Sequence, residues 1–478
     1  MLEIQDHNPH QPHHAGRLDA PPRALLYYAT VVIQLLASAL SGVGFVLETP
    51  AYFLGGAGIW VAWFVLVFMM TRPATDGTLG GHVKFFRRGA GTIFIILFVV
   101  GIMEVIAMTV LYPVYYENDE NPGNFSEVMT GLNKVFEYND STILTQQASE
   151  NLLEGKNPYA HANIVEGLIE YEGAYDRVTP LRAGRFTDIF PYPELAQFEE
   201  LWEEAILNPA QPPPELESRV SYPAGSFLLP APFIAVGITD IRIIYAVFAV
   251  AGLLYAVWRI PGRRRLVFIG GVLVSLEFWN SIAAGETSIT CFPLLLVAWL
   301  SLGRNNWVSA VFMGIAVATK QTAWFVLPFY LIYFFHTAGP GRIPAAFGII
   351  TGIFAAFNLP FIVADPGLWL SSVVSPMTDP MFPLGVGIIN LVTSGIIDIR
   401  SALPFTVMEI LGIAAALVWY YRNCPKYPHA GLILAVAPLF LAWRSLWNYF
   451  FYVGIIAFAA VMAGDGEEKE TGRLTTPG

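Results

Sequence analysis

Long apolar runs separated by short polar breaks dominate the chain. Twelve are read at 25–47, 52–70, 91–115, 240–259, 266–283, 287–303, 307–321, 323–335, 343–363, 403–421, 429–444 and 447–463. A run of about 20 apolar residues is the length a helix needs to cross a bilayer. The pattern therefore predicts an all-α polytopic bundle of about twelve transmembrane helices. The pair 307–335 also reads as one long tilted helix. The Pro-rich stretch 223–238 is expected to be re-entrant or interfacial, because counting it as a full span inverts every later loop.

Lys and Arg of short loops stay on the cytoplasmic side. With both termini cytoplasmic, Arg72, Lys84, Arg87, Arg88, Arg259, Arg263–Arg265, Arg304, Arg342, Arg422, Lys426, Lys469 and Arg473 all fall inside. Two long segments then fall outside, 116–220 and about 364–402. Within the first, NFSEVMTGLNKVFEY and DSTILTQQASENLLEG repeat apolar residues at three and four, a helical period. Asp140 or Ser141 is expected to cap the second helix and Gly155 to end it. Asp119-Glu120-Asn121-Pro122-Gly123 and Pro212-Pro213-Pro214 read as turns or linkers. No internal repeat is evident. The expected organisation is a disordered cytoplasmic tail (1–24), two N-terminal added spans (25–90), a membrane domain (91–463) containing the external loop 116–220, and a cytoplasmic tail (464–478).

Composition sharpens this picture. The chain of 478 residues is 55% hydrophobic and 13% charged, against about 25% charged in soluble domains. That excludes a water-soluble enzyme and a disordered chain. The net charge of −11 is uneven: residues 116–220 hold 20 acidic and 6 basic residues, or −14, and the rest of the chain is mildly basic at +3. Two cysteines, Cys291 and Cys424, support no disulfide framework. His7, His10, His13 and His14 belong to the tail and read as disorder before metal binding. No phosphate-binding loop or dinucleotide fingerprint occurs. No zinc-type spacing occurs, although a divalent metal stays open. The acidic loop disfavours nucleic acid.

Chemistry concentrates in a series of boxes. Asp140 opens a helix that ends in Leu152-Leu153-Glu154-Gly155-Lys156-Asn157-Pro158-Tyr159. Tyr222-Pro223-Ala224, Gly285-Glu286 and Gly314…Lys320-Gln321 follow in order. This order resembles the GT-C superfamily of polyprenyl-phosphate-sugar-dependent glycosyltransferases. It is most similar to glycosyltransferase family 87, which includes phosphatidylinositol mannoside mannosyltransferases. The resemblance covers roughly residues 91–460. It departs from the family at Ala224, where a second proline is usual, at Glu286, where glutamine is usual, and at Thr142–Leu144, where tyrosines are usual.

The resemblance implies a membrane hexosyltransferase of the cell envelope. Its donor would be a polyprenyl-phosphate monosaccharide, with mannose as the first guess, and its acceptor a glycolipid or glycan. The residue types suit that chemistry without the family. Transfer needs a base for the acceptor hydroxyl and positive charge for the leaving phosphate. Asp140 is the expected base, with Asp119 and Glu120 as runners-up. Lys320 and Arg444 are expected to hold the donor phosphate, Arg444 being the one basic residue at a short external turn. Tyr159, Tyr222, Glu286 and Asn280 are candidates for sugar or acceptor contact. Each has a plainer reading: a helix cap for Asp140, snorkelling for Lys320, an internal ion pair for Arg444, and an interfacial belt for the tyrosines. Asp365 and Asp379 read mostly as loop solvation with a weaker role in acceptor or metal binding. Glu409 and His336 read as structural. The plasma membrane, with an external active site, is the expected location and membrane lipid an expected partner. Alternatives are a secondary transporter or lipid flippase, and a non-catalytic subunit of the same architecture.

Overall fold

Apolar runs become helices wherever no competing polar partner exists, and all twelve predicted runs contain helix. The computed structural model describes residues 20–47, 50–116 and 138–464. Among the described residues, seven helical stretches are long and apolar enough to cross a membrane: Pro22–Leu40, Leu54–Thr71, Val83–Met103, Ile241–Arg259, Pro340–Ala364, Leu403–Asn423 and Trp447–Gly464. The bent pair Arg264–Leu273 and Leu276–Ala283, at 58°, makes an eighth if counted as one span. Ser288–Ser301, Asn306–Thr319, Thr322–Ala338 and Ala430–Leu441 are shorter apolar helices. By length and composition the count is thus seven or eight, short of the expected twelve. The run 307–335 is two helices, broken at Lys320, which is extended (φ −150°, ψ 143°). The 223–238 stretch forms two short helices, Gly225–Leu228 and Ala231–Ala235.

Burial separates inner from outer helices. The helix Phe451–Gly464 is buried on every side, with Phe458 stacked on Tyr27 at 4.3 Å. Ser288–Ser301 is likewise enclosed. By contrast Val83–Met103 and Leu403–Asn423 each bury only 11% of their apolar window. They leave Ile95, Ile96, Met103, Ile410 and Leu411 exposed. Apolar faces of this extent are not stable in water. They fit the hydrocarbon of a bilayer, and the protein is a multi-pass membrane protein. The first two helices join the same core, with Trp60 against Phe450 at 5.7 Å.

The helices alternate in direction. One end of the bundle therefore carries Arg23, Asp76, His429 and the 260–264 turn. The other carries residues 138–240, 365–402 and 442–450. This second end has its own core, formed by Ile143, Leu144, Tyr159, Ile164, Leu168, Phe186, Phe198, Leu201, Phe227 and Phe382. Pro212–Pro214 lies in irregular chain, and Gly155 ends its helix at φ 77°, as expected. A two-residue parallel pairing joins Leu384–Gly385 to Arg444–Ser445. Gly385 has φ 137°, and a Cβ there would meet the Ser445 carbonyl oxygen at 2.1 Å. Only glycine admits that approach. All but the last residue of the predicted helix at 124–138, the turn 119–123 and the runner-up carboxylates Asp119 and Glu120 lie outside the described residues.

Candidate functional site

The helix Asp140–Leu153 begins one residue earlier than a cap at Asp140 would require, and two earlier than a cap at Ser141 would. Asn139 is the N-cap: its Oδ1 accepts from the Thr142 N–H at 2.9 Å. Asp140 is released from that duty. Its Oδ1 accepts from the Ser141 N–H at 2.6 Å and its Oδ2 from the Thr179 N–H at 2.8 Å. Two backbone donors orient the carboxylate, and each oxygen keeps a further lone pair for a substrate proton.

Thr179 links Asp140 to a second carboxylate. Its carbonyl accepts from the Glu217 N–H at 3.0 Å, so Asp140 and Glu217 flank one peptide segment. Glu217 is buried, with Oε1 accepting from the Ser375 hydroxyl at 3.1 Å. Burial pushes its carboxyl up to about 7. The charges of Asp140 and Asp379 push the same way, while Arg444 and the Ser375 hydrogen bond oppose the rise. The sequence reading missed Glu217. Glu215, two residues earlier, is equally buried but serves the loop, accepting from the Arg185 N–H at 2.7 Å. No local signal separates the two.

On the bundle side, the helix Leu276–Ala283 ends in a paired C-terminal closure. Gly285 N–H donates to the Ile282 carbonyl at 3.1 Å and Glu286 N–H to the Ser281 carbonyl at 2.8 Å. Gly285 adopts φ 70°, and a Cβ would meet Thr142 and Arg242 at 2.8 Å. The turn sets Glu286 beside Asn448, whose Nδ2 donates to Glu286 Oε2 at 2.7 Å. Lys320, at the helix break, is buried. Its ammonium donates to the hydroxyls of Thr287 and Ser288, the latter at 3.1 Å, and lies 5.0 Å from the Tyr222 ring centroid. Its charge and that of Glu286 act on each other. The broken helix leaves the Gln321 side chain to tie the break down, donating to the Ser221 and Val373 carbonyls.

Arg444 completes the group. It is half-buried, and its Nη1 is buried with no hydrogen-bond partner among the described residues. Its charge acts on Glu217, Tyr192 and Tyr449, while that of Asp140 acts on Glu217, Tyr192, Tyr222 and Glu286. Asp140, Glu217, Glu286, Lys320, Arg444 and the ring of Tyr222 therefore share one locus at one end of the bundle. Residues from five stretches of sequence meet there.

The remaining candidates sit around it. Tyr159 is buried beneath the site, its hydroxyl donating to the Tyr222 carbonyl at 2.9 Å and its ring against Phe227 and Phe361. Ala224 donates its N–H to Asn358 Oδ1 at 2.9 Å, a bond that proline could not make. Asn280 is half-buried on the Leu276–Ala283 helix. Asp365 is an N-cap, accepting from the Leu368 N–H at 2.9 Å. Glu409 is half-buried in its span, and His336 is exposed toward the opposite end. Cys291 and Cys424 are both free and buried. No group of three or more metal-ligating side chains occurs among the described residues. Comparison with protein-family models, curated proteins and solved structures finds no match to the chain.

Proposed function

We propose that the protein is a GT-C-like membrane glycosyltransferase. It would move a monosaccharide from a polyprenyl-phosphate donor to an acceptor hydroxyl at the outer face of the membrane. The observation that carries this reading is that an oriented carboxylate, Asp140, and an arginine whose Nη1 is buried without a hydrogen bond among the described residues, Arg444, both act on Glu217 and Tyr192. A buried donor without a partner costs about 1–3 kcal/mol, and an anionic ligand removes that cost. Lys320, satisfied by hydroxyls and an aromatic face, adds a second positive charge.

In this reading Asp140 takes the proton of the acceptor hydroxyl. The acceptor oxygen bonds to the anomeric carbon as the bond from that carbon to the phosphate oxygen breaks. The electron pair leaves with the phosphate, which Arg444 and Lys320 neutralise. Attack opposite the leaving group inverts the anomeric centre. The twelve-span count, the cytoplasmic termini, the plasma membrane and mannose as the sugar belong to the same proposal, as does the shorter helices' completion of the bundle.

The test is transfer of a radiolabelled hexose from its polyprenyl-phosphate in membranes holding wild type or Asp140→Asn. Loss of at least a hundredfold is expected from removal of a general base, worth about 10²–10⁴ in rate. Undiminished transfer by folded Asp140→Asn would remove Asp140 from this role. The helix break at Lys320 is also the feature on which transporters build ion and substrate sites. Asp140-dependent flux of a solute into proteoliposomes, without sugar transfer, would favour that reading.

A further inference from the structure

Thr179, which bonds both Asp140 and Glu217, opens an extended segment that leads away from the charged centre. Pro180 bridges to Leu216 and Leu181 to Met381, and Arg182 N–H donates to the Pro380 carbonyl at 2.7 Å. Three extended steps span about 10 Å. At the far end lies a pocket of about 340 Å³ lined by Arg182, Thr187, Asp379, Met381, Arg400 and Trp443. That volume falls in the range of small-molecule sites, roughly 300–1,000 Å³. Trp443 is the residue before Arg444, so the pocket and the charged centre share one short stretch of backbone as well.

The pocket's chemistry is specific. Trp443 is fixed, with Nε1 donating to the Met381 carbonyl at 2.9 Å and its ring against Phe405 at 5.4 Å. Arg182 Nε is buried with no hydrogen-bond partner among the described residues, and Asp379 Oδ2 is held by an ion pair with Arg219 Nη2 at 3.1 Å but accepts no hydrogen bond there. One unsatisfied donor and one carboxylate oxygen with acceptor capacity to spare thus sit in the same wall. Formal charge is nearly balanced: Arg219 neutralises Asp379 and Asp398 pairs with Arg400 at 3.1 Å. Arg182 alone is left over, its guanidinium over Phe190 at 5.7 Å. An inorganic anion would meet the Asp379 carboxylate. A hydroxyl both donates and accepts, and a sugar ring also presents an apolar face to an aromatic wall. Among small ligands, a hexose meets all of these groups at once.

We propose that this pocket binds a sugar unit of the acceptor, so that the chain acts on a glycan or glycolipid longer than one residue. The reach of about 10 Å along 179–182 lets a terminal hydroxyl arrive at Asp140 while an inner sugar rests on Trp443. The acceptor assignment rests on the transfer reading; the pocket's affinity for a hexose does not.

The experiment is saturation-transfer-difference NMR of the full chain in lipid nanodiscs, with methyl hexopyranosides as probes and inorganic phosphate as competitor. Wild type is expected to give a hexoside signal that phosphate at equal concentration does not displace. Arg182→Ala and Asp379→Asn should each reduce it at least fivefold, and His336→Ala, exposed toward the opposite end of the bundle, should leave it unchanged. Should Arg182→Ala fail to fold, Arg182→Lys keeps the charge, loses the planar donor set, and is expected to show a partial loss. Absence of signal in wild type, survival of the signal in both pocket variants, or displacement by phosphate would each overturn the proposal. A hexoside signal that depends on Arg182 and Asp379, alongside no sugar transfer by folded wild type, would uphold the pocket and remove the transferase reading alone.

Discussion

Two arginines at opposite ends of the bundle have opposite surroundings. Arg23 is buried before the first helix and forms an ion pair with Asp76, whose Oδ1 also accepts the Arg23 N–H at 2.8 Å. Arg444 is half-buried before the last helix, with Nη1 making no hydrogen bond among the described residues and one carboxylate, Glu217, near enough to feel its charge. The first arrangement holds two helices in register, since Asp76 follows the second helix and Arg23 precedes the first. The second leaves a guanidinium stabilised at a distance and open to a further anion. A charge held in an ion pair is a structural device, and one that forms no ion pair among the described residues is an opening for a ligand.

The widest separation between the two should appear in activity. Arg444→Ala is expected to lower sugar transfer by about 10²–10³, the usual cost of losing one electrostatic donor at a reacting anion, while thermal stability stays near wild type. Arg23→Ala should do the reverse. It removes the guanidinium from Asp76 Oδ2, at a cost of roughly 1–3 kcal/mol, which a fluorescence melt of the detergent-solubilised protein would register while turnover holds. Loss of activity in Arg23→Ala, or a large melting shift in Arg444→Ala with intact turnover, would erase the contrast.

The pH dependence of the charged end gives the next effect. The Glu217 carboxyl titrates near 7 in the fold against an ordinary value of 4.5. Between those values the unfolded chain has released the proton and the folded chain retains it, so stability falls as pH rises from 4.5 to 7 and then levels. The full span is about 3 kcal/mol. Glu217→Gln should flatten that slope and raise the melting temperature at pH 7.5. A slope unchanged in the variant would remove Glu217 as its source. The smallest effect is expected at Tyr159. Tyr159→Phe loses one hydrogen bond to the Tyr222 carbonyl, worth about 1 kcal/mol, and should lower turnover severalfold through a shifted Tyr222 ring, with little change in the melt.

Much of the helical framework was legible because apolar runs leave the backbone no better partner than itself. Span length was less legible. Ser288–Ser301 and Asn306–Thr319 are apolar throughout because they are buried in protein, and the periodicity that marks a lipid-facing span is the same as that of a short inner helix. The break at Lys320 could be suspected from the lysine, whereas the bend near Ser275 depends on a contact from Tyr27 distant in sequence, whose hydroxyl lies 2.7 Å from Ser275 Oγ. At the site, Asp140 stood out as an acid at a predicted helix start and Lys320, Arg444, Tyr222 and Glu286 as polar residues near the ends of apolar runs, and the fold brings them to one end of the bundle. Glu217 did not stand out, because only the peptide of Thr179 and the hydroxyl of Ser375 distinguish it from Glu215. The cap also lay one residue from the expected position. Asn139, Asp140 and Ser141 all suit that role, and tertiary contacts chose among them.

The central claim is that Arg444 is kept open for the phosphate of a lipid donor. Binding of sugar-free polyprenyl phosphate to wild type, Arg444→Ala and Arg23→Ala in nanodiscs tests it directly. At least tenfold weaker binding in Arg444→Ala, with Arg23→Ala equal to wild type, is the predicted result. Equal binding by all three folded proteins would contradict it.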